Sequence, residues 1–157
     1  MSFCTKPLGS TSISLSHASH GKLDIVREPR DGSSNKVVFT LSLTPRAGTP
    51  RTFKHQMYIN DRDAHHRKHS TLGYGDIDLP ASMQRIGIGY AYHFAAAQAA
   101  VKLGVDYLAV DSVVTDAMQS LCTGIGMKDT FTENCYCGKP QEVCPLAEQR
   151  VAEKGWL

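Results

Sequence analysis

The sequence has no long hydrophobic run. Its most apolar stretch, residues 90–101, is interrupted by His93 and Gln98 and is too short to cross a bilayer. Residues 1–7 contain no apolar core of the length that a signal peptide needs. We therefore expect a cytoplasmic protein with no membrane partner, although export by a specialised route would not show in the composition.

The sequence also has no large excess of positive or negative charge. The formal net charge of +2 is too small to indicate a nucleic-acid partner by itself. Hydrophobic residues make up 41% of the chain and charged residues 20%, which is ordinary for a globular protein. This composition predicts a single domain over residues 1–157 with a substantial core, in which residues 1–10 are expected to be mobile.

The number and spacing of the cysteines are not those of a disulfide framework. The chain has five cysteines, an odd number, of which Cys135, Cys137 and Cys144 lie close together near the C-terminus. Reduced thiols or one local disulfide are the simpler interpretation. A tetrahedral zinc site completed by Cys4 or a histidine is the alternative, but the usual pair of CxxC motifs is absent. We expect no metal and keep zinc as the less favoured option.

The zinc-peptidase pattern HExxH is absent as well, although His65, His66 and His69 lie within one short segment. Neighbouring arginine and lysine side chains would repel a cation. We therefore interpret residues 60–70 as an exposed basic loop, suited to contact an acidic substrate, RNA or a protein partner.

Alternating apolar residues predict an antiparallel first half. Strands are expected at residues 12–16, 22–27 and 37–44, the last with every second apolar side chain on one face. Residues 49–60 fit either a helix or a strand, because they begin like a helix and also alternate. The segment between residues 16 and 37 has room for little more than a turn.

The second half is organised around a pair of glycines. A strand at Leu72–Leu79 is expected to lead into a turn that contains Gly87 and Gly89 and opens a helix ending at Gly104. Val105–Val110 is then predicted to be a buried parallel strand. The first amides of such a helix have no intrahelical partner, so with the helix dipole they can bind a phosphate or pyrophosphate.

Residues 84–89, Gln-Arg-Ile-Gly-Ile-Gly, resemble the acetyl-CoA signature of the GCN5-related N-acetyltransferases (the GNAT superfamily), [Gln/Arg]-x-x-Gly-x-[Gly/Ala]. Pro80 and the later Gly126-Met127, where the family often has Gly-Phe, stand in the same order, and the resemblance covers roughly the second half of the chain. It implies an α+β fold, with a mixed, mostly antiparallel sheet and helices packed on its faces. Residues 71–127 would form its βαβ acetyl-CoA-binding half. The dinucleotide fingerprint GxGxxG fits less well, because a tyrosine replaces its third glycine.

The resemblance also implies how acetyl-CoA would bind. The pantetheine arm would run along the strand before the turn, and the pyrophosphate would meet the backbone amides of the turn. Thr115 stands where the family has an asparagine before its last short helix. The residues implied for the cofactor are Ile77, Leu79, Gln84, Arg85, Ile86, Gly87, Ile88, Gly89 and Thr115.

In this family an amine attacks the thioester directly, which requires a base for the amine and an acid for the leaving thiolate. Asp76 and Asp78, two residues apart on the expected strand, are candidates for the base, as is Asp111 at the end of the next strand. Solvated surface carboxylates are the alternative. Cys122 stands where the family has its usual acid, a tyrosine, and is either that acid or a small buried apolar residue.

We therefore expect a compact acetyl-CoA-dependent N-acetyltransferase that acts on a primary amine of a small molecule, a protein or an aminoacyl-tRNA. The family usually has one or two helices between its first two strands and a tyrosine at the place of Cys122, and this chain lacks both. A non-catalytic protein that binds CoA or a protein partner is therefore the second hypothesis. A zinc-supported interaction module, which rests only on the cysteine and histidine clusters, is the third. The sequence does not predict an oligomeric state.

Overall fold

The structure is a computed structural model that describes residues 12–29, 34–60, 69–75, 77–113, 115–129 and 134–156. Its strands are β1 (Ser12–His17), β2 (Gly21–Arg27), β3 (Lys36–Thr44), β4 (Arg51–Asn60), β5 (Thr71–Tyr74), β6 (Tyr107–Val110), β7 (Lys128–Asp129) and β8 (Tyr136–Gly138). Its helices are α1 (Ile88–Leu103), α2 (Asp116–Gly124) and α3 (Pro140–Glu153), with a 3-10 helix at Ala81–Met83. No helix in these ranges has the length and apolarity that spanning a membrane requires.

The strands form one sheet in the order β1-β2-β3-β4-β5-β6-β8-β7. Neighbouring strands are antiparallel except β5 and β6, which run parallel with Thr71 opposite Tyr107 and Tyr74 opposite Val110. Helix α1 connects these two strands, which is the crossover that a parallel pair needs. The predicted mixed, mostly antiparallel sheet with a βαβ unit is therefore confirmed.

The antiparallel half follows the alternation of the sequence. Along β3, every second side chain is buried and the side chains between them are half-buried, from Val37 to Leu43. Residues 51–60, which fitted either a helix or a strand, form β4, because β3 offers them a full-length antiparallel partner. The sequence alone could not decide between the two, since the decision depends on that partner.

Helix α1 packs on the face of the sheet that carries these buried side chains. The rings of Phe39 in β3 and Tyr92 in α1 meet edge to face, with 5.3 Å between their centroids. On the opposite face of β3 and β4, Val38 and Thr40 are half-buried and Gln56 is exposed. The packing of α1 therefore identifies the face that carries Val37 and Phe39 as the core face of the sheet.

Strand β5 ends at Tyr74, whereas the sequence predicted a strand to Leu79. Its parallel partner β6 ends opposite it, at Val110. One further backbone hydrogen bond between the two chains runs from the Asp111 amide to the Tyr74 carbonyl, at 2.9 Å. Residues 77–80 then continue without regular structure into the 3-10 helix. The prediction that Asp78 lies on a strand face is therefore wrong, and Asp76 lies outside the described residues.

Two glycines in the left-handed region bound α1. Gly87 (φ 93°) precedes its first residue, and Gly104 (φ 72°) ends it as predicted. Buried alanines line α1 and allow α3 and the sheet to approach it closely. Helix α3 begins at Pro140, since proline suits the first turn of a helix.

Candidate functional site

The glycine turn, which we define as residues 84–89, contains two left-handed residues. Arg85 has φ 63° and Gly87 has φ 93°. Gln84 holds the start of the turn, since its side-chain Nε2 donates to the carbonyl of Leu79 at 2.7 Å. Gln84 and Gly87, two of the three signature residues, therefore shape the backbone between the 3-10 helix and α1.

The N-terminus of α1 carries amides without helical partners. The first intrahelical bond runs from the Ala91 amide to the Gly87 carbonyl at 3.2 Å, so the amides of Ile88, Gly89 and Tyr90 precede it. No acidic residue lies in the first turn of the helix. The positive end of the helix dipole is therefore not neutralised from within α1.

Both glycines also make close packing possible. A Cβ atom at Gly87 would lie 2.7 Å from the Cβ of Lys154, and one at Gly89 would lie 2.6 Å from the Cδ1 of Leu121. These positions are therefore needed for the approach of α2 and of the residues after α3, whatever the turn binds.

Trp156 anchors the glycine turn to the end of the chain. Its indole Nε1 donates to the Ile86 carbonyl at 2.7 Å, and only 1% of the residue is exposed. The His17 ring lies 5.1 Å from the Trp156 ring, and His17 Nε2 donates to the Lys154 carbonyl at 2.9 Å. Trp156 is therefore a packing anchor for the glycine turn. Its partner could not be predicted, because the two lie far apart in the sequence.

The other residues implied for the cofactor lie before the turn, in it or at α2. Ile77 and Leu79 are half-buried and pack against the main core, and Ile88 is buried in it. Thr115 caps α2, since its hydroxyl accepts from the Met118 amide at 3.2 Å. In this structure Thr115 therefore has a structural role that does not require a ligand.

The residues proposed for catalysis are placed in different environments. Asp78 is exposed, Asp111 is half-buried directly after β6, and Cys122 is fully buried in α2. Burial raises the pKa of the Cys122 thiol to about 12. At neutral pH this thiol therefore stays protonated within the apolar core.

The C-terminal cysteines do not act as one group of three. Cys144 belongs to a disulfide, whereas the Sγ atoms of Cys135 and Cys137 lie 3.8 Å apart and share a hydrogen bond. That bond, then burial and a hydrogen bond to Asp111, raise the pKa of Cys135. Asp111 therefore lies close to this thiol pair.

The histidine segment lies mostly outside the described residues, which omit His65 and His66. His69 Nδ1 lies 3.9 Å from a carboxylate oxygen of Asp106. Among the residues that the structure does describe, no three His, Cys, Asp or Glu side chains converge as metal ligands would. The described side chains therefore give the zinc hypothesis no support.

A buried network of two tyrosines and two histidines lies between the sheet and α1. We call Tyr74, His93, Tyr92 and His55 the Tyr–His network. The Tyr74 hydroxyl lies 2.6 Å from His93 Nε2, and Tyr92 shares a short hydrogen bond with His55 Nδ1. The His55 ring meets the Tyr74 ring edge to face at 4.8 Å, which brings the two pairs together.

The chemistry of the acceptors fixes the direction of the first pair. The Gly89 carbonyl can only accept, so His93 Nδ1 donates to it at 2.6 Å. Burial lowers the pKa of His93 to about 4, although the bond to Gly89 opposes this. The neutral ring then accepts at Nε2, and the Tyr74 O–H donates to it. Burial, followed by the nearby Cys122 and Tyr92, raises the pKa of Tyr74.

Little in the sequence indicates these pairs. His93 interrupts an otherwise apolar helix and stands four residues after Gly89, which is the spacing of a bond to that carbonyl. His55 and Tyr74 lie on different strands, so their proximity depends on the sheet register. Comparison of the chain with family models and with curated proteins gives no significant match. The function is therefore inferred from the glycine turn, the parallel strand pair and the Tyr–His network.

Proposed function

We propose that the chain is an acetyl-CoA-dependent N-acetyltransferase with a GNAT-like fold, which transfers the acetyl group to a primary amine by direct attack. The observation that carries the proposal is the unit β5–glycine turn–α1–β6, in which a helix N-terminus follows one strand of a parallel pair. The acceptor is a primary amine on a small molecule, a protein or an aminoacyl-tRNA.

The glycine turn is suited to the pyrophosphate of the cofactor. The amides of Ile88, Gly89 and Tyr90 precede the first intrahelical bond, and such amides bind anions together with the helix dipole. Arg85 is exposed beside them and can pair with a phosphate through two parallel hydrogen bonds. Lys154, packed against Gly87, adds a second cation nearby.

The pantetheine arm and the thioester are assigned to the open end of the parallel pair. The bond from the Asp111 amide to the Tyr74 carbonyl is followed by a change of partner on the β6 side. The Val113 amide donates to the Asn134 carbonyl, at 2.8 Å, and not to the chain that follows β5. A Cβ atom at Gly75, the residue after β5, would meet no atom within 4 Å. Ligand sites commonly lie at such carboxyl ends of parallel strands.

Binding of acetyl-CoA, measured by calorimetric titration, tests the proposal. The wild-type protein is expected to bind in a saturable manner, and Arg85→Glu to raise Kd about 10- to 100-fold, because one charge-assisted phosphate contact is lost. We choose Arg85 because it is exposed, whereas a bulky residue at Gly89 would displace Leu121.

Lys36→Glu is the matched control for this titration. Lys36 is an exposed cation at the start of β3, and its replacement makes the same change in net charge. Its Kd is expected to equal that of the wild type. If the folded wild-type protein binds no acetyl-CoA, the proposal is wrong. If Arg85→Glu and Lys36→Glu raise the Kd equally, the pyrophosphate does not bind at the glycine turn.

A non-catalytic protein that binds CoA is the second candidate, favoured by the buried thiol of Cys122 where the family has its tyrosine. Release of CoA thiol from acetyl-CoA separates the two candidates. We use spermine and poly-lysine as probe amines. An enzyme is expected to release thiol in proportion to the amine added, and a non-catalytic protein to bind without release.

Cys122→Ala is expected to leave the rate of thiol release nearly unchanged. Burial keeps the Cys122 thiol protonated and a poor acid at neutral pH, so its loss removes little catalysis. The free energy of unfolding should fall by about 1 kcal/mol, because a packed sulfur is lost. Parallel urea unfolding and rate measurements check both, and a large loss of rate in a stable variant would make Cys122 the acid.

A further inference from the structure

Strand β8 places two cysteines on the face of the sheet that does not carry the main core. Tyr136, the first residue of the strand, belongs to the main core. Cys135 before it and Cys137 after it belong instead to a separate buried cluster with Ala109 of β6. Because successive side chains of a strand point to opposite faces, the two cysteines lie on the face opposite to α1.

The cluster of Ala109, Cys135 and Cys137, which we call the edge cluster, is small and lies near one edge of the sheet. Among the described residues, Tyr107 is the partly buried side chain that packs against it. Of the described strands only β7 lies beyond β8, and both of its residues, Lys128–Asp129, are exposed. A short, exposed edge strand opens locally at a lower cost than a core element. A small reagent can therefore reach the edge cluster without unfolding of the main core.

The two cysteine side chains lean towards each other. The Sγ atoms of Cys135 and Cys137 lie 3.8 Å apart and share a hydrogen bond, and both residues are thiols. A disulfide requires Cα atoms that are about 4.4 to 6.8 Å apart. Strand residues separated by one position span about 6.6 Å, which lies within this range. Closing a bond between the two sulfurs therefore needs rotation of the side chains and little movement of the sheet.

The same contacts keep this thiol pair protonated at neutral pH. The hydrogen bond with Cys137, followed by burial and a hydrogen bond to Asp111, raises the pKa of Cys135. Since the thiolate is the form that attacks a disulfide, we expect exchange at this pair to be slow and to begin from the locally opened state.

We propose that Cys135 and Cys137 form a redox site, in which the two thiols close to a reversible disulfide by exchange with a low-molecular-mass disulfide such as oxidised glutathione. One cysteine loses its proton, and its sulfur attacks a sulfur of the reagent, whose S–S bond breaks and releases one thiolate. The second cysteine then loses its proton and attacks the protein sulfur of the mixed disulfide, which releases the second thiolate.

The exchange is balanced. The thiol pair gives up two protons and two electrons, and the reagent takes up both and leaves as two thiols. The inference does not depend on the proposed function, because it rests on the position of the thiol pair alone.

Alkylation after incubation in glutathione buffers tests the proposal on the full-length, folded protein. The ratio of oxidised to reduced glutathione is raised stepwise, and each sample is then denatured and treated with N-ethylmaleimide. Cleavage after glutamate yields the peptide 134–142, which contains both cysteines of the pair but not Cys144. We expect mass spectrometry to show this peptide passing from a doubly alkylated form to one that is lighter than the unmodified peptide by two hydrogen atoms. Excess reduced glutathione should restore the alkylated form.

Cys122 is the matched control within the same molecule. It is also a buried thiol, but it belongs to the main core. We expect it to remain alkylated at the glutathione ratio that closes half of the thiol pair. In Cys137→Ala, Cys135 should need about 10-fold or more oxidised glutathione to resist alkylation, because the second step is no longer intramolecular. Circular dichroism checks that this variant is folded.

Each outcome decides the proposal. Closure of the peptide 134–142 in the folded protein, with Cys122 still a thiol, supports it. Closure only after unfolding in urea would show that the folded structure does not permit the disulfide, and the proposal would be wrong. It would also be wrong if Cys122 and the thiol pair were modified together, or if glutathione stayed attached to one cysteine of the pair. None of these results depends on whether acetyl-CoA binds.

Discussion

Acidification from about pH 7 to about pH 4 is expected to lower the free energy of unfolding by about 3 kcal/mol through His93 alone. Burial lowers the pKa of His93 to about 4 in the folded protein, whereas an unfolded histidine has a pKa near 6.5. Between these values the unfolded chain binds the proton and the folded chain does not. The stabilising contribution of neutral His93 is therefore complete above about pH 6.5 and is lost as the pH falls towards 4.

Urea unfolding at a series of pH values measures this loss, with His93→Gln as the comparison. The described groups that His93 faces are the Gly89 carbonyl, Tyr74, Tyr92 and His55, and none of these four is a carboxylate. Burial raises the pKa of both tyrosines, whose contribution is lost only as the pH rises past about 10. If His93→Gln loses stability with acid as steeply as the wild type, another group is responsible.

Trp156→Ala is expected to lower the free energy of unfolding by about 3 to 5 kcal/mol, as the truncation of a buried tryptophan commonly does. The variant loses the packing of a residue that is 1% exposed and leaves the Ile86 carbonyl without its donor. Because typical domains are stable by only about 5 to 15 kcal/mol, this is a large fraction of the total. Chemical denaturation monitored by circular dichroism gives the value.

Trp156→Phe is the companion variant, because it keeps an aromatic ring but has no indole N–H. Its loss of stability should be smaller than that of Trp156→Ala. If the bond to Ile86 positions the glycine turn, both variants should weaken acetyl-CoA binding to a similar extent. Full binding by a stably folded Trp156→Phe would show that the turn keeps its shape without this bond.

The parts of the fold that depend on local pattern could be predicted from the sequence. Alternation identified β3, and the left-handed preference of glycine identified the end of α1 at Gly104. The strand before the glycine turn was predicted too long, because its end depends on where β6 stops pairing. The identity of residues 51–60 likewise depended on β3.

The candidate site shows the same division. Gln84, Gly87 and Gly89 could be identified because they are close in sequence and their chemistry is local. The pair Tyr74–His93 could not, because it joins a strand to a helix through the packing of the core. Trp156 and Ile86 are separated still further, so only the folded chain shows that they meet.

The bond between Trp156 and Ile86 also gives the protein an intrinsic reporter. Trp156 is the single tryptophan of the sequence, and its indole is bonded to the backbone of the glycine turn. Selective excitation of tryptophan therefore observes this turn directly, without a label or a substitution. A ligand that reorganises the turn should change the emission maximum or intensity. Because the His17 ring at the end of β1 lies 5.1 Å from the Trp156 ring, the same signal also reports changes at that end of the sheet edge.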